Sequence, residues 1–133
     1  IKGVEGSIIP SLIQPAKMYQ YYERGEEQEM LIDPAELGIA QNERCVPLPE
    51  GIEKVKGGGA SNAQDVARIV EHAAKAGLAA LAGERGPAYD SLLYAASVAL
   101  QHLNKTSSLA ECSQQVRAVL DDGTALKKFN AAK

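Results

Sequence analysis

Ser61-Asn62-Ala63-Gln64-Asp65-Val66-Ala67-Arg68-Ile69-Val70-Glu71-His72-Ala73-Ala74-Lys75-Ala76-Gly77-Leu78-Ala79-Ala80-Leu81-Ala82-Gly83 is the stretch whose reading decides the fold class. Ser61 and Gln64 stand at capping-box spacing, where the hydroxyl takes one free amide and the carboxamide reaches back to another. After them Val66, Ile69, Val70, Ala73, Ala74, Gly77, Leu78 and Leu81 recur every three or four positions, which predicts a helix with one apolar stripe turned to a core. Gly77 costs such a helix about 1 kcal/mol against alanine and reads as a place where a neighbour comes close. Gly83 ends the pattern.

The same punctuation repeats downstream. Pro87 suits the first turn of a second helix, with Leu92, Leu93, Ala96, Leu100 and Leu103 as its buried stripe and Asn104 as a left-handed C-cap. Ser108-Leu109-Ala110-Glu111 is another capping box, and Leu109, Cys112, Val116, Val119 and Leu120 carry an apolar face on to Gly123. Thr124 to Phe129 reads as a last short turn held by Leu126 and Phe129.

Upstream the texture is extended and turn-rich. Ile1 to Gly6 reads as a short strand, and Met18 to Tyr22 as a strand that turns at Arg24-Gly25 into Gln28 to Ile32. Asp33 before Pro34 predicts a single capped helical turn through Leu37, stopped by Gly38. Residues 41–59, with Pro47, Pro49 and four glycines, read as loop. The expected architecture is α/β over one domain, 1–133. A small mixed sheet with a β-hairpin, in the strand and hairpin region 1–40, leans on three C-terminal helices in the helical region 60–130.

Length and composition fit that frame. A chain of 133 residues can bury roughly two thirds of its unfolded surface in one core. With one Phe, no Trp and five Tyr, that core must rest mainly on Leu, Ile, Val and Ala. Residues 1–56 hold six basic and ten acidic residues and residues 57–133 hold eight and seven, so neither half offers the dense basic field that phosphate-backbone binding needs. Cys45 and Cys112 lack metal-type spacing and read as reduced thiols of a cytosolic protein. The start on Ile1 rather than Met, with no basic stretch before a long apolar run, reads as a piece of a longer soluble, cytoplasmic protein with no membrane segment.

Candidate chemistry is sparse. Lys2, Gly3, Glu5 and Gly6 form a glycine loop in which Lys2 could meet a phosphate or sit on the surface, and Glu5 could be a site carboxylate or a solvated turn residue. Gly57-Gly58-Gly59 precedes a helix start but has no trailing Lys-Ser/Thr and no strand immediately before it, so it reads as a flexible approach to the cap. His72 and His102 have no second ligand at metal spacing, and Asp90 fits a helix dipole. Tyr19 and Tyr21 share one strand face and Tyr22 the other; the cluster is either an aromatic platform for bases or a hairpin packed on helices. No Ser, Cys or Thr has a nucleophile constellation.

Taken in order, Gly3-Val4-Glu5-Gly6, Asp33-Pro34-Ala35-Glu36-Leu37-Gly38, Gly57-Gly58 with Asn62-Ala63, Leu81-Ala82-Gly83-Glu84-Arg85-Gly86-Pro87 and Asp122-Gly123-Thr124-Ala125-Leu126 resemble the C-terminal portion of anthranilate phosphoribosyltransferase and its glycosyltransferase relatives. The resemblance covers nearly the whole chain. It implies the C-terminal part of the large domain of a phosphoribosyltransferase-like fold, whose parent takes a phosphorylated ribose, holds magnesium in its full-length form and is a homodimer through helices upstream. This fragment by itself is then expected to be monomeric and inactive, with no cofactor of its own. The sequence departs from that family where it matters most. Ile8 and Ile9 stand where the family's Asp-Glu pair holds magnesium, and Ala95-Ala96-Ser97 replaces its usual Asn-Ala-Ala. An isoleucine offers no oxygen to a hard cation, and this leaves as the alternative a non-catalytic paralogue that binds nucleic acid or a phosphorylated ligand.

Overall fold

Ala16, Met18 and Gln20 are buried and alternate with exposed Lys17, Tyr19 and Tyr21, the two-residue period of a half-buried strand. This strand, β1 (Ala16–Tyr21), pairs antiparallel with β2 (Glu27–Ile32), Met18 opposite Met30 and Tyr21 opposite Glu27. Gly25, at φ 75°, makes the turn between them. The computed structural model describes residues 10–22, 24–52, 62–103 and 108–132, and among these the sheet has two strands. The expected strand at Ile1 to Gly6, the triple glycine at 57–59, Ser61 and Asn104 lie outside the described residues.

The chain leaves β2 through the turn read from its sequence. Asp33 Oδ1 accepts from the Ala35 amide at 2.9 Å, Pro34–Leu37 makes one 3-10 turn, and Gly38 stops it at φ 69°. Four helices follow: α1 (Ala63–Leu81), α2 (Pro87–Leu103), α3 (Leu109–Asp121) and α4 (Thr124–Ala131). The capping box at Ser108 and Glu111 is present in both directions. At α1 the cap is Asn62, one residue on from Ser61, its side chain accepting from the Asp65 amide at 2.9 Å and donating to the Asp65 carboxylate at 3.0 Å. Asn62 thus supplies the N-cap, and Asp65 takes its side-chain amide where the Gln of a capping box would reach the cap's backbone amide. The terminal turn is a full helix of eight residues.

The core gathers Leu12, Met18, Ile32, Leu37 and Ile39 from the first part of the chain against Tyr89, Leu93, Tyr94, Val98 and Leu120. The core is mainly aliphatic, as composition led us to expect, with two fully buried tyrosines added to it. An aromatic ring buries more apolar area than a leucine, so α2 turns Tyr89, Leu93, Tyr94, Ser97 and Val98 inward. The expected stripe holds only in part: Leu93 is buried, Leu92 and Leu100 are half-buried, Ala96 is exposed, and Leu103 is 76% exposed. Burial also pushes the Tyr94 hydroxyl up to about 12, with the Asp33 carboxylate adding to it.

Helix α1 departs further from expectation. Ala80 is its single buried residue, while Val66, Val70, Ala73, Ala74 and Leu78 are exposed. The helix lays its small residues Ala76, Ala79 and Ala80, with His72 and Leu81, against the body and keeps Val66, Val70 and Leu78 outside. Gly77 admits no close neighbour: a Cβ there would meet nothing within 4 Å.

Candidate functional site

The joint between α1 and α2 is the most elaborate polar arrangement among the described residues. At Gly83 the chain takes φ 88° and leaves the helix, and a Cβ at this position would lie 3.3 Å from the Leu120 carbonyl oxygen. Glycine therefore lets the end of α1 close on the end of α3. This closure sets Asp121 beside the first turn of α2. Its Oδ1 accepts from the Tyr89 hydroxyl at 2.7 Å and its Oδ2 from Arg85 Nη2 at 2.7 Å. The guanidinium also lies over the Tyr89 ring, 4.3 Å from the centroid, a cation–π contact. Burial first, and then the bond to Asp121, raise the Tyr89 pKa.

A cavity of about 200 Å³ opens on the other side of Tyr89, between Val46 and Pro47 of the loop, His72 and Ala76 of α1, and Glu84 and Arg85 of the joint. His72 and Glu84 bring an imidazole and a carboxylate to its lining. The positive charge of Arg85 is matched by Asp121, and the same carboxylate accepts from the Tyr89 hydroxyl. The geometry is that of a cross-braced joint beside a small, mainly apolar hollow. Gln41 Nε2 donates to Asp90 Oδ2 at 2.6 Å, so Asp90 anchors the loop to α2 as well as lying in its first turn.

A second polar cluster lies where the hairpin meets the far end of α2. Gln20 is buried and donates to Gln101 Oε1 at 2.7 Å while accepting from the Tyr22 hydroxyl. Tyr22 stacks on His102 with centroids 5.4 Å apart. The three tyrosines thus divide as the strand period requires: Tyr22 packs on a helix, and Tyr19 and Tyr21 face outward. Among the described residues no group of three His, Cys, Asp or Glu side chains could hold a metal ion. No helix of the described residues is long and apolar enough to cross a membrane.

Lys2, Gly3, Glu5 and Gly6, the loop residues singled out from sequence, lie outside the described residues, as do Ile8 and Ile9. His72 lines the joint cavity and His102 stacks on Tyr22. Sequence reasoning missed the Arg85, Tyr89, Asp121 brace. Its one legible sign was the glycine pair around Arg85, which marks a tight joint but not what closes on it. Comparisons with protein-family models and with curated proteins each returned no match.

Proposed function

We propose that this chain is the C-terminal part of a pentosyl- or phosphoribosyl-transferase-like protein and serves there as a structural buttress without a complete reaction centre of its own. The observation that carries the reading is the placement of turns. Gly25, Gly38, Gly83 and Gly123 all take positive φ where the resembled family has its hairpin turn, its Asp-Pro turn, its helix joint and the glycine segment that follows its final helix. The asparagine of the family's helix start caps α1. Each of these landmarks among the described residues thus has a structural job, which supports kinship of fold and leaves the chemistry to residues elsewhere in the parent.

The family's magnesium does not fit the residues at its expected place, because Ile8 and Ile9 offer no oxygen ligands. That departure favours a second reading, a non-catalytic paralogue that binds nucleic acid or a phosphorylated ligand. Calorimetric titration of phosphoribosyl pyrophosphate into the parent protein, with and without magnesium, separates the two. Magnesium-dependent uptake supports the transferase. No uptake, with oligonucleotide binding that weakens steeply with salt, overturns it in favour of the paralogue.

A further inference from the structure

The stack of Tyr22 on His102 joins the end of the hairpin to the end of α2, with the two rings 17° from parallel and their centroids 5.4 Å apart. Both residues are half-buried. A chain of hydrogen bonds fixes the tyrosine: its hydroxyl donates to Gln20, and Gln20 Nε2 donates to Gln101 Oε1 at 2.7 Å, one residue before His102. The imidazole stands in the last turn of α2, where the helix presents its carbonyl end to a cation. It also borders a hollow of about 320 Å³ along β1, lined besides by Met18, Tyr19, Gln20 and Tyr21.

We propose that this stack is a pH-sensitive clasp, in which an imidazolium at His102 holds the hairpin on α2 more tightly than the neutral ring does. Imidazole is the side chain that changes charge between about pH 8 and pH 5. The carbonyl end of α2 attracts that charge whether or not the hairpin is docked, so the difference between the two states comes from Tyr22. Its ring turns a negative π face to the cation only while the hairpin is in place. The hollow leaves one side of the half-buried imidazole open to water, which limits the cost of desolvating the ion. Charges on the hairpin act in the same direction. Lys17 and Glu29 pair with each other, while Glu27 stands opposite Tyr21 and Glu26 accepts from the Tyr22 amide through its carbonyl, against Arg24 in the turn. Among the described residues no salt bridge joins the hairpin to α2, so no stronger charge contact masks the clasp. The clasp goes beyond the functional reading above and does not depend on it.

Hydrogen exchange on the whole chain, with each amide referred to its intrinsic rate at the same pH, reads the clasp at β1 and β2. Protection of these amides is expected to rise about three- to fivefold from pH 8 to pH 5. His102→Phe keeps a ring on Tyr22 but cannot take up a proton, and its hairpin should show no such rise. Tyr22→Leu keeps the titrating group and removes the π face, and should lose most of the rise. Hairpin protection that stays flat in the unaltered chain overturns the proposal, as does a rise that persists in His102→Phe. A rise that survives in full in Tyr22→Leu overturns it as well, because the proton would then act through something other than the stack.

Discussion

Tyr89, in the first turn of α2, donates its hydroxyl to Asp121 at the end of α3 at 2.7 Å, and this single bond ties three helices at one point because Arg85 of the joint shares the same carboxylate. The Arg85 and Asp121 side chains are 56% and 42% exposed, so their ion pair adds little. The stabilisation lies in the Tyr89 bond. Tyr89→Phe is expected to cost about 1 kcal/mol, and Asp121→Ala about 1–3 kcal/mol because it strands a buried hydroxyl. Urea melts of both variants and the double variant check this: the double should cost less than the sum. Equal, additive effects would sever the claimed link.

Gly38 carries a second strong expectation. It sits at φ 69°, and a Cβ there would lie 3.1 Å from Arg117 Nη2, which donates to the Leu37 carbonyl at 2.6 Å and to the Gly38 carbonyl at 3.2 Å. Gly38→Ala should cost about 1–2 kcal/mol from the left-handed backbone. Part of the loss should vanish in an Arg117→Ala background, where the crowding is gone. Thermal melts of the four combinations would show it, and an identical cost in both backgrounds would argue against any steric share.

The capping box of α3 gives the stability a pH signature. Bonds from the Ser108 amide and hydroxyl hold the Glu111 pKa below its ordinary 4.5. A carboxylate depressed on folding contributes stability that is present above its unfolded value and is lost as pH falls through the folded one. Stability should therefore decline as pH drops below about 4.5, and the decline should be shallower in Glu111→Gln, which keeps an acceptor but cannot titrate. Denaturation midpoints at a series of pH values test it; parallel acid limbs would remove Glu111 from the account.

The two cysteines differ in accessibility. Cys45 is exposed, whereas Cys112 is buried and its thiol is pushed up by burial and by the Glu111 carboxylate. A thiol reagent at neutral pH should label Cys45 at once and Cys112 only as fast as the fold opens. Mass mapping after a short pulse distinguishes them. Prompt double labelling would contradict the burial of Cys112.

Local punctuation was the part of this fold that could be read in advance. The Asp33 cap, the stop at Gly38, the box at Ser108 and the turn at Gly25 each depend on one or two residues and their immediate backbone, and all are present. The direction in which α3 faces was legible, with Cys112 and Leu120 buried and Leu109 and Val116 packed on the core, but that of α1 and much of α2 was not. Spacing identifies an apolar stripe but not its competitor, and on α2 two tyrosines outweighed the leucines. On α1 a ridge of alanines took the inner side. The Arg85, Tyr89 and Asp121 brace was invisible for a different reason, since its members are separated by up to 36 positions and meet only after the helices close.

Arg117 also bears on the order in which the molecule assembles. Its bonds to Leu37 and Gly38 span 80 and 79 positions. Closing a loop of that length costs about 4 kcal/mol of chain entropy, whereas the hairpin closes over a few residues. We therefore expect the hairpin and the paired helices to form before the strap fastens, leaving the strap out of the rate-limiting step. In stopped-flow kinetics Arg117→Ala should then speed unfolding and leave refolding nearly untouched; slowed refolding would place the strap in the nucleus instead. A contact of this kind acts as a latch, holding the finished molecule shut without helping to build it.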